Sequence, residues 1–475
     1  MRILVVLVMT AVLLPALSYA QPATAYHGFT RLDPMTKAVA KNAYVVIKGQ
    51  HIAQVGHGPV PRRKGWKYVD MSGRFGLPGF FDAHAHLTAG PLTVSIENGA
   101  PRLAMTSVDS VTQFQALVAL AFGVTTIRNP AGDPDANANY DRKLRTGEWI
   151  GPDALHAGFT FDPTAIAGLS IYPKDRTHWD REIARQKQLG MRYVKVYTGL
   201  SESELALAIE IAHARGLKVI GHLDRISWTR AIELGIDALT HALPTSKHLL
   251  KEPSRAEYIA SRSNPDSKFM YRWFELADYE SPAIQELIRM LAARRIAVDL
   301  TLLVNEIIYF FNDVDSVFPI ADRKFNHPLV MKTLFQNLSA SHTGWTEDDY
   351  SRARSVMPKV LELARRFHKA GVPLLLGTDA AGGAPFYARE LSLHVRAGIP
   401  VWEVLQLATT LAAQRLGVAN RTGAMEAGKE ADIVFLKRNP LDDIANTRDV
   451  DTVVSNGRAY RFDELINLAA KLGPE

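Results

Sequence analysis

His84-Ala85-His86 ends an apolar run, Gly76-Leu77-Pro78-Gly79-Phe80-Phe81-Asp82-Ala83. On a β-strand, residues i and i+2 face the same way. Both imidazoles can therefore reach one metal ion, and neutral imidazole suits Zn, Fe, Ni or Cu. A lone His-x-His is a weak motif that needs further ligands at other strand ends. Lys195 lies inside the apolar run Tyr193-Val194-Lys195-Val196-Tyr197. His222 ends Lys218-Val219-Ile220-Gly221, His241 follows Ala238-Leu239-Thr240, and Asp379 ends Pro373-Leu374-Leu375-Leu376-Gly377-Thr378. Four imidazoles, one carboxylate and one lysine are thus in question, and imidazole and carboxylate are donors for divalent cations.

The elements that must position these groups alternate. From Val124 onward, short apolar runs such as Val124-Thr125-Thr126-Ile127-Arg128 and Ala297-Val298-Asp299-Leu300-Thr301-Leu302 are separated by helical stretches, the pattern of parallel β/α units. Ser201-Glu202-Ser203-Glu204 is a capping box that opens one helix, with Gly216 just past its end. Ser281 to Arg295 and Ala353 to Ala370 also have helical periodicity. About eight units fit between Gly76 and Leu416, so the fold class is α/β with a (β/α)8 TIM-like barrel. In such a barrel the strands' C-terminal ends carry the chemistry. His84, His86, Lys195, His222, His241 and Asp379 are thus predicted to converge on one mouth.

The two ends of the chain read differently. Tyr44 to Gly56 reads as a hairpin turning near Gly49, Ala431 to Leu436 as a strand, and Asn456-Gly457 as a hairpin turn. Neither end has enough strands to stand alone, so both are expected to form one small β-sandwich around the inserted barrel. The expected divisions are 21–75 and 425–475 for the sandwich and 76–424 for the barrel. Residues 303–350 are aromatic-rich without a strand pattern and read as an excursion after the seventh strand, a candidate lid.

Residues 1–20 place Arg2 before an apolar stretch that ends at Ser18-Tyr19-Ala20. This reads as a signal peptide cleaved before Gln21; the alternative is an uncleaved anchor. The reading implies a secreted or periplasmic protein with no stable membrane insertion once the leader is removed. The chain has no cysteine, which excludes disulfides, thiolate ligands and a cysteine nucleophile. Its 475 residues are 47% apolar and 22% charged, with a formal net charge of +6 and no run of five basic residues. Nucleic-acid binding needs a clustered basic footprint, and none is expected.

Taken in order, these segments resemble the amidohydrolase superfamily, in the branch of imidazolonepropionase-like proteins and Xaa-Pro and Xaa-Arg dipeptidases. Gly76-Leu77-Pro78-Gly79 through His86 is similar to the first-strand motif, and Gly123-Val124-Thr125-Thr126-Ile127-Arg128 to the second-strand region. Ala212-His213-Ala214-Arg215-Gly216-Leu217 with Val219 and His222 is similar to the fifth unit, and Gly377-Thr378-Asp379 to the eighth. Gly423 to Asp432 resembles the return into the β-sandwich.

The resemblance implies two divalent ions, with Zn the default. His84, His86 and Asp379 would hold one and His222 with His241 the other. Lys195 would bridge them after carboxylation, because an ammonium has donors only. In the family a bridging hydroxide attacks a polarised carbonyl, and Asp379 would act as general base and then acid. The implied substrate is a small molecule cleaved at a C–N bond, a dipeptide or N-acyl amino acid; the alternatives are a cyclic amide or an ester or lactone on the same site, or a non-catalytic metal-stabilised binding protein. Tyr197, Arg128 and His156 are candidate substrate contacts, while His213 reads as structural. Where relatives carry Arg-Asp after the second strand, this chain has Arg128-Asn129.

Overall fold

The structure is a computed structural model that describes residues 23–97, 100–163, 166–262, 267–342, 344–379 and 384–473. The leader reading, residues 1–20, lies outside the described residues. Eight parallel strands follow one another around a barrel: β1 (Phe80–Asp82), β2 (Val124–Asn129), β3 (Asp153–Phe161), β4 (Tyr193–Val196), β5 (Lys218–Gly221), β6 (Ala238–Thr240), β7 (Ala297–Asp299) and β8 (Leu374–Leu375). Neighbours pair in sequence order. Closure comes from backbone bonds beyond the short ladder. Ala83 N–H donates to Leu376 C=O at 2.7 Å, and Asp379 N–H to His84 C=O at 2.7 Å.

That closure depends on Gly377. A Cβ there would lie 2.4 Å from His84 Cβ and 2.8 Å from His84 N. Gly377→Ala is therefore expected to push β8 from β1, at a cost of about 3 kcal/mol, at the upper end of overpacking penalties. A thermal melt of the variant should show the lowered midpoint; an unchanged midpoint would contradict this closure.

The single apolar run ahead of His84 is two strands. Phe75–Pro78 belongs to a separate eight-stranded sheet, and β1 starts only at Phe80. Between them, Gly79 N–H donates to Asp432 C=O at 2.9 Å, and a Cβ on Gly79 would sit 2.1 Å from Thr125 Oγ1. The sheet takes Ala23–Asp33, Ala38–Lys48, His51–His57, Lys67–Asp70 and Phe75–Pro78 from one end of the chain. From the other end it takes Ile433–Leu436, Val450–Ser455 and Arg458–Arg461. The two ends meet where Ile433–Leu436 runs antiparallel to Phe75–Pro78, with Val434 opposite Leu77. Alternation divides the sheet's faces: Ala43, Val45 and Ile47 join one apolar cluster, Tyr44 and Val46 another. Asn456 and Gly457 have φ of 49° and 78° in the predicted hairpin turn.

The helical layer follows the sequence signals closely. Ser201 caps the helix Glu202–Ala214, with Glu204 reaching back to the Ser201 N–H at 2.7 Å. The stretch expected as one helix over Ala353 to Ala370 is two, Glu347–Ser355 and Met357–Lys369. Pro358 occupies the first turn of the second, where a missing N–H is tolerated. Residues 303–350 are largely helical, built on Leu302–Tyr309, Pro328–Ser341 and Glu347–Ser355. There the ring of His342 packs against Phe311, Trp345 and Tyr350. Among the described residues no helix is long and apolar enough to cross a membrane.

Candidate metal centre

Three barrel strands end in residues that leave the strand with positive φ: His241 at 71°, Thr301 at 43° and Asp379 at 52°. Left-handed backbone at a non-glycine residue costs about 1–3 kcal/mol, and it persists where the surroundings impose it. Here His241 N–H donates to Asp299 C=O at 2.6 Å, and Asp379 N–H is held by His84 C=O. The strain clusters where the side chains meet.

The six sequence-predicted ligands line one pocket at the C-terminal mouth. His84 Nε2 and His86 Nε2 lie 3.2 and 3.1 Å from Asp379 Oδ1. One donor atom from each of these three residues falls within 4.8 Å of the others. The His84 and His241 ring centres are 4.9 Å apart, and those of His222 and His241 4.3 Å. Lys195 is buried, and its Nζ donates to Thr240 Oγ1 at 3.2 Å.

Electrostatics prepare these donors. Burial pushes the His222 pKa down to about 3, with the Lys195 charge adding to it. Burial and His222 hold His241 well below the ordinary value. Both imidazoles are therefore neutral and able to donate a lone pair. Burial works against a charged His84, but Asp379 and Asp299 outweigh it and raise its pKa. Burial would raise Asp379, yet His84, His86 and His241 hold it well below the carboxylate range. Burial brings Lys195 down to about 8, so a sizeable fraction is free amine near neutral pH.

The donor chemistry fits divalent cations. His222 Nδ1 is buried without a hydrogen-bond partner, and a ligand is one way to satisfy such an atom. His84, His86 and Asp379 present nitrogen and oxygen lone pairs to one another, which repel unless a cation or proton lies between them. Lys195 fits only once its ammonium has lost a proton, as the free amine or as an anion made from it.

Two of the predicted substrate contacts lie elsewhere. Arg128 is buried beneath the ligands, with Nε donating to Ala83 C=O at 2.6 Å and a terminal nitrogen to Asp299. His156 is also buried: its ring nitrogens lie 3.0 Å from Asn129 Nδ2 and 3.3 Å from Asp141 Oδ1. Neither is among the residues lining the pocket: Arg128 is held inside the barrel by Ala83 and Asp299, and His156 by Asn129 and Asp141. Tyr197 does line it, with its ring 4.5 Å from that of His222. His213 sits on its helix and pairs with Asp237 at 2.8 Å.

Sequence reasoning missed Asp299 and Asp82. Asp299 accepts from His84 Nδ1 at 2.6 Å and pairs with Arg128, so it sets which nitrogen of His84 faces the pocket. Its signal was the one used for the other ligands, a polar residue ending an apolar strand. Asp82 accepts from the backbone of His84 and Thr378 and from Thr378 Oγ1, tying β1 to β8; burial raises its pKa to about 6. Asp299→Asn is expected to weaken metal retention about 10–100-fold in chelator competition. It would also strand the Arg128 guanidinium, costing about 3 kcal/mol or more in unfolding free energy. Metal retention and a melting midpoint at the parent level would show that Asp299 does not position His84.

The pocket encloses about 340 Å³. Its walls are mostly apolar: Leu92 and Met105 from the hairpin Leu92–Glu97/Ala100–Met105, Ile166 and Leu169, Leu243, Met270 and Val304. Val304 alone represents residues 303–350 among the lining residues. The helix Pro328–Ser341 of the expected lid packs against the hairpin strand Leu92–Glu97, and the hairpin and the 166–170 segment form the wall.

Residues 75–460 match the Amidohydrolase family. The ochratoxinase of Aspergillus niger is 35% identical over 109 residues, 22% of this chain and 22% of that protein. The match thus spans about a fifth of that curated relative's length. Among solved structures, a Xaa-Pro dipeptidase with bound methionine superposes with a TM-score of 0.66 at 19% identity, covering 92% of this chain and 100% of the other. A bottromycin amidohydrolase superposes with a TM-score of 0.69 at 18% identity, covering 94% and 90%. At these identities the structural likeness is one of fold.

Proposed function

The chain belongs to the amidohydrolase family, and from that premise we propose that it is an exported, metal-dependent hydrolase of an amide C–N bond. The observation that carries this reading is the convergence of His84, His86, Lys195, His222, His241 and Asp379 on one pocket at the barrel's C-terminal mouth. In this reading His84, His86 and Asp379 would hold one divalent ion and His222 with His241 a second, and carboxylated Lys195 would supply a shared anionic ligand. Zinc suits such a histidine and carboxylate set. Bound there, the ions supply Lewis acidity that polarises a carbonyl and acidifies water.

The residues of the chain do the rest. The free amine of Lys195 adds through its nitrogen lone pair to the carbon of CO2 and releases one proton, leaving an anionic carbamate. Asp379 is the single carboxylate among the described lining residues, and its side chain is 20% exposed. It takes the proton of the attacking water and returns it to the leaving nitrogen. Arg128 and Asp299 hold the His84 ring in the tautomer that leaves Nε2 free. Leu92, Met105, Ile166, Leu169 and Met270 exclude water and favour an apolar group beside the scissile bond. A dipeptide or N-acyl amino acid with an apolar side chain meets these requirements. The leader at residues 1–20 supports a periplasmic or secreted location.

Metal analysis of the purified protein should find close to two divalent ions per chain, and a panel of dipeptides and N-acyl amino acids should contain a substrate. One ion or none would overturn the binuclear reading. Activity confined to esters or lactones would overturn the amide reading, and activity that survives exhaustive chelation would overturn metal dependence.

A further inference from the structure

The barrel has a second opening, at the N-terminal ends of its strands, and the cavity there is larger than the one at the metal centre: about 530 Å³ against 340 Å³. Its interior wall is aliphatic, with Ile220, Ala238 and Leu375 from the innermost layer of the barrel. Around it stand Lys218 at the start of β5, Arg294 and Arg295 just before β7, and Arg415 at the end of the helix Thr410–Arg415. These cations come from three separate elements, and only the folded chain brings them together.

The negative charge that might neutralise them is committed elsewhere. Asp237 is the single carboxylate among the lining residues, and it accepts from His213 Nε2 and from the Val219 N–H, each at 2.8 Å. Arg128 reaches the cavity from above but pairs with Asp299. None of Lys218, Arg294, Arg295 and Arg415 forms an ion pair with a described residue, although Arg415 donates to the Leu374 carbonyl. Like charges gathered in a partly enclosed space repel one another more strongly than they would in open water. The effect registers at Arg415, whose pKa falls to about 10 through burial and the neighbouring Arg295.

We propose that this N-terminal mouth is a binding site for a small organic polyanion, held by Lys218, Arg294, Arg295 and Arg415. Guanidinium forks donate pairs of charge-assisted hydrogen bonds to the oxygens of planar carboxylate or tetrahedral phosphate groups. The aliphatic wall takes the ligand's carbon body. The site lies at the opposite end of the barrel from the candidate metal centre and does not depend on how that centre works.

Calorimetric titration of the full chain tests this with two probes that chelate divalent ions weakly, benzene-1,3,5-tricarboxylate and inorganic phosphate, at matched ionic strength. At least one is expected to bind and raise the melting temperature; the preferred probe tells carboxylate from phosphate chemistry. The pair Arg295→Gln/Arg415→Gln should lower its affinity by about tenfold or more, the scale of losing one or two charged hydrogen bonds. Because Arg415 also braces β8, the exposed pair Lys218→Gln/Arg294→Gln provides a second variant, expected to weaken binding with the fold intact. Lys48→Gln, on the distant sheet, should leave binding unchanged. Failure of both probes to bind overturns the proposal, as does affinity at the parent level in both double variants.

Discussion

Lys195→Ala is expected to lower bound metal from two ions to one or none and to reduce kcat/KM by about 10³-fold or more, equivalent to about 4 kcal/mol of transition-state stabilisation. The size follows from where Lys195 sits. It is buried at the centre of β4, with Thr240 Oγ1 as its hydrogen-bond partner. Removing the side chain takes away a bridging anion without breaking an ion pair. Thr240 Oγ1 keeps its bond to the Gly221 carbonyl at 3.3 Å, so the fold should tolerate the change. Metal content, circular dichroism and activity measured on one preparation separate loss of the bridge from loss of structure. A folded variant that keeps both ions and full activity would eliminate the carbamate. The same reading expects the metal-free protein to take up labelled CO2 more readily as pH rises toward 8, since burial brings the amine's pKa to about that value.

Asp379→Asn should lower kcat by about 10²–10⁴-fold, the usual contribution of a positioned acid–base group. Asparagine keeps the shape and an amide oxygen with lone pairs beside His84 and His86, but it can neither take a proton nor return one. Its effect should therefore fall on kcat more than on KM. A second readout comes from stability in the metal-free protein. An aspartate held well below its usual pKa stabilises the fold above about pH 4, and that contribution is lost as pH falls through its folded-state value. Acid unfolding of the asparagine variant should thus be less steep than that of the parent. Full turnover by Asp379→Asn would remove this residue from the proton path.

How far these residues were legible depended on whether their signal was local. His84, His86, Lys195, His222, His241 and Asp379 could be found because each interrupts or ends an apolar run, and strand ends in a β/α barrel share one mouth. Asp299 carried the same mark but lacked a motif to single it out. Arg128 and His156 had no local mark that could separate a pocket-facing side chain from a buried one. Arg128 is held by Asp299, 171 residues away, and His156 by Asn129 and Asp141 on neighbouring elements. The run from Gly76 to Ala83 hid a strand boundary because Phe75–Pro78 and Phe80–Asp82 are both apolar, and they differ in which partners they pair with.

Local pattern carried the order of β/α units, the helix caps and hairpin turns, and the set of candidate ligands at the strand ends. All of these are written in periodicity, turn chemistry and residue type over a few neighbouring positions. Tertiary structure alone decided how β8 closes on β1 through Gly377, which carboxylate orients His84, and which walls line the pocket. It also gathered Lys218, Arg294, Arg295 and Arg415 around one cavity, though the chain has no long basic run. The reason is physical: each depends on through-space approach between segments tens to hundreds of residues apart, set by packing and closure that no local pattern encodes.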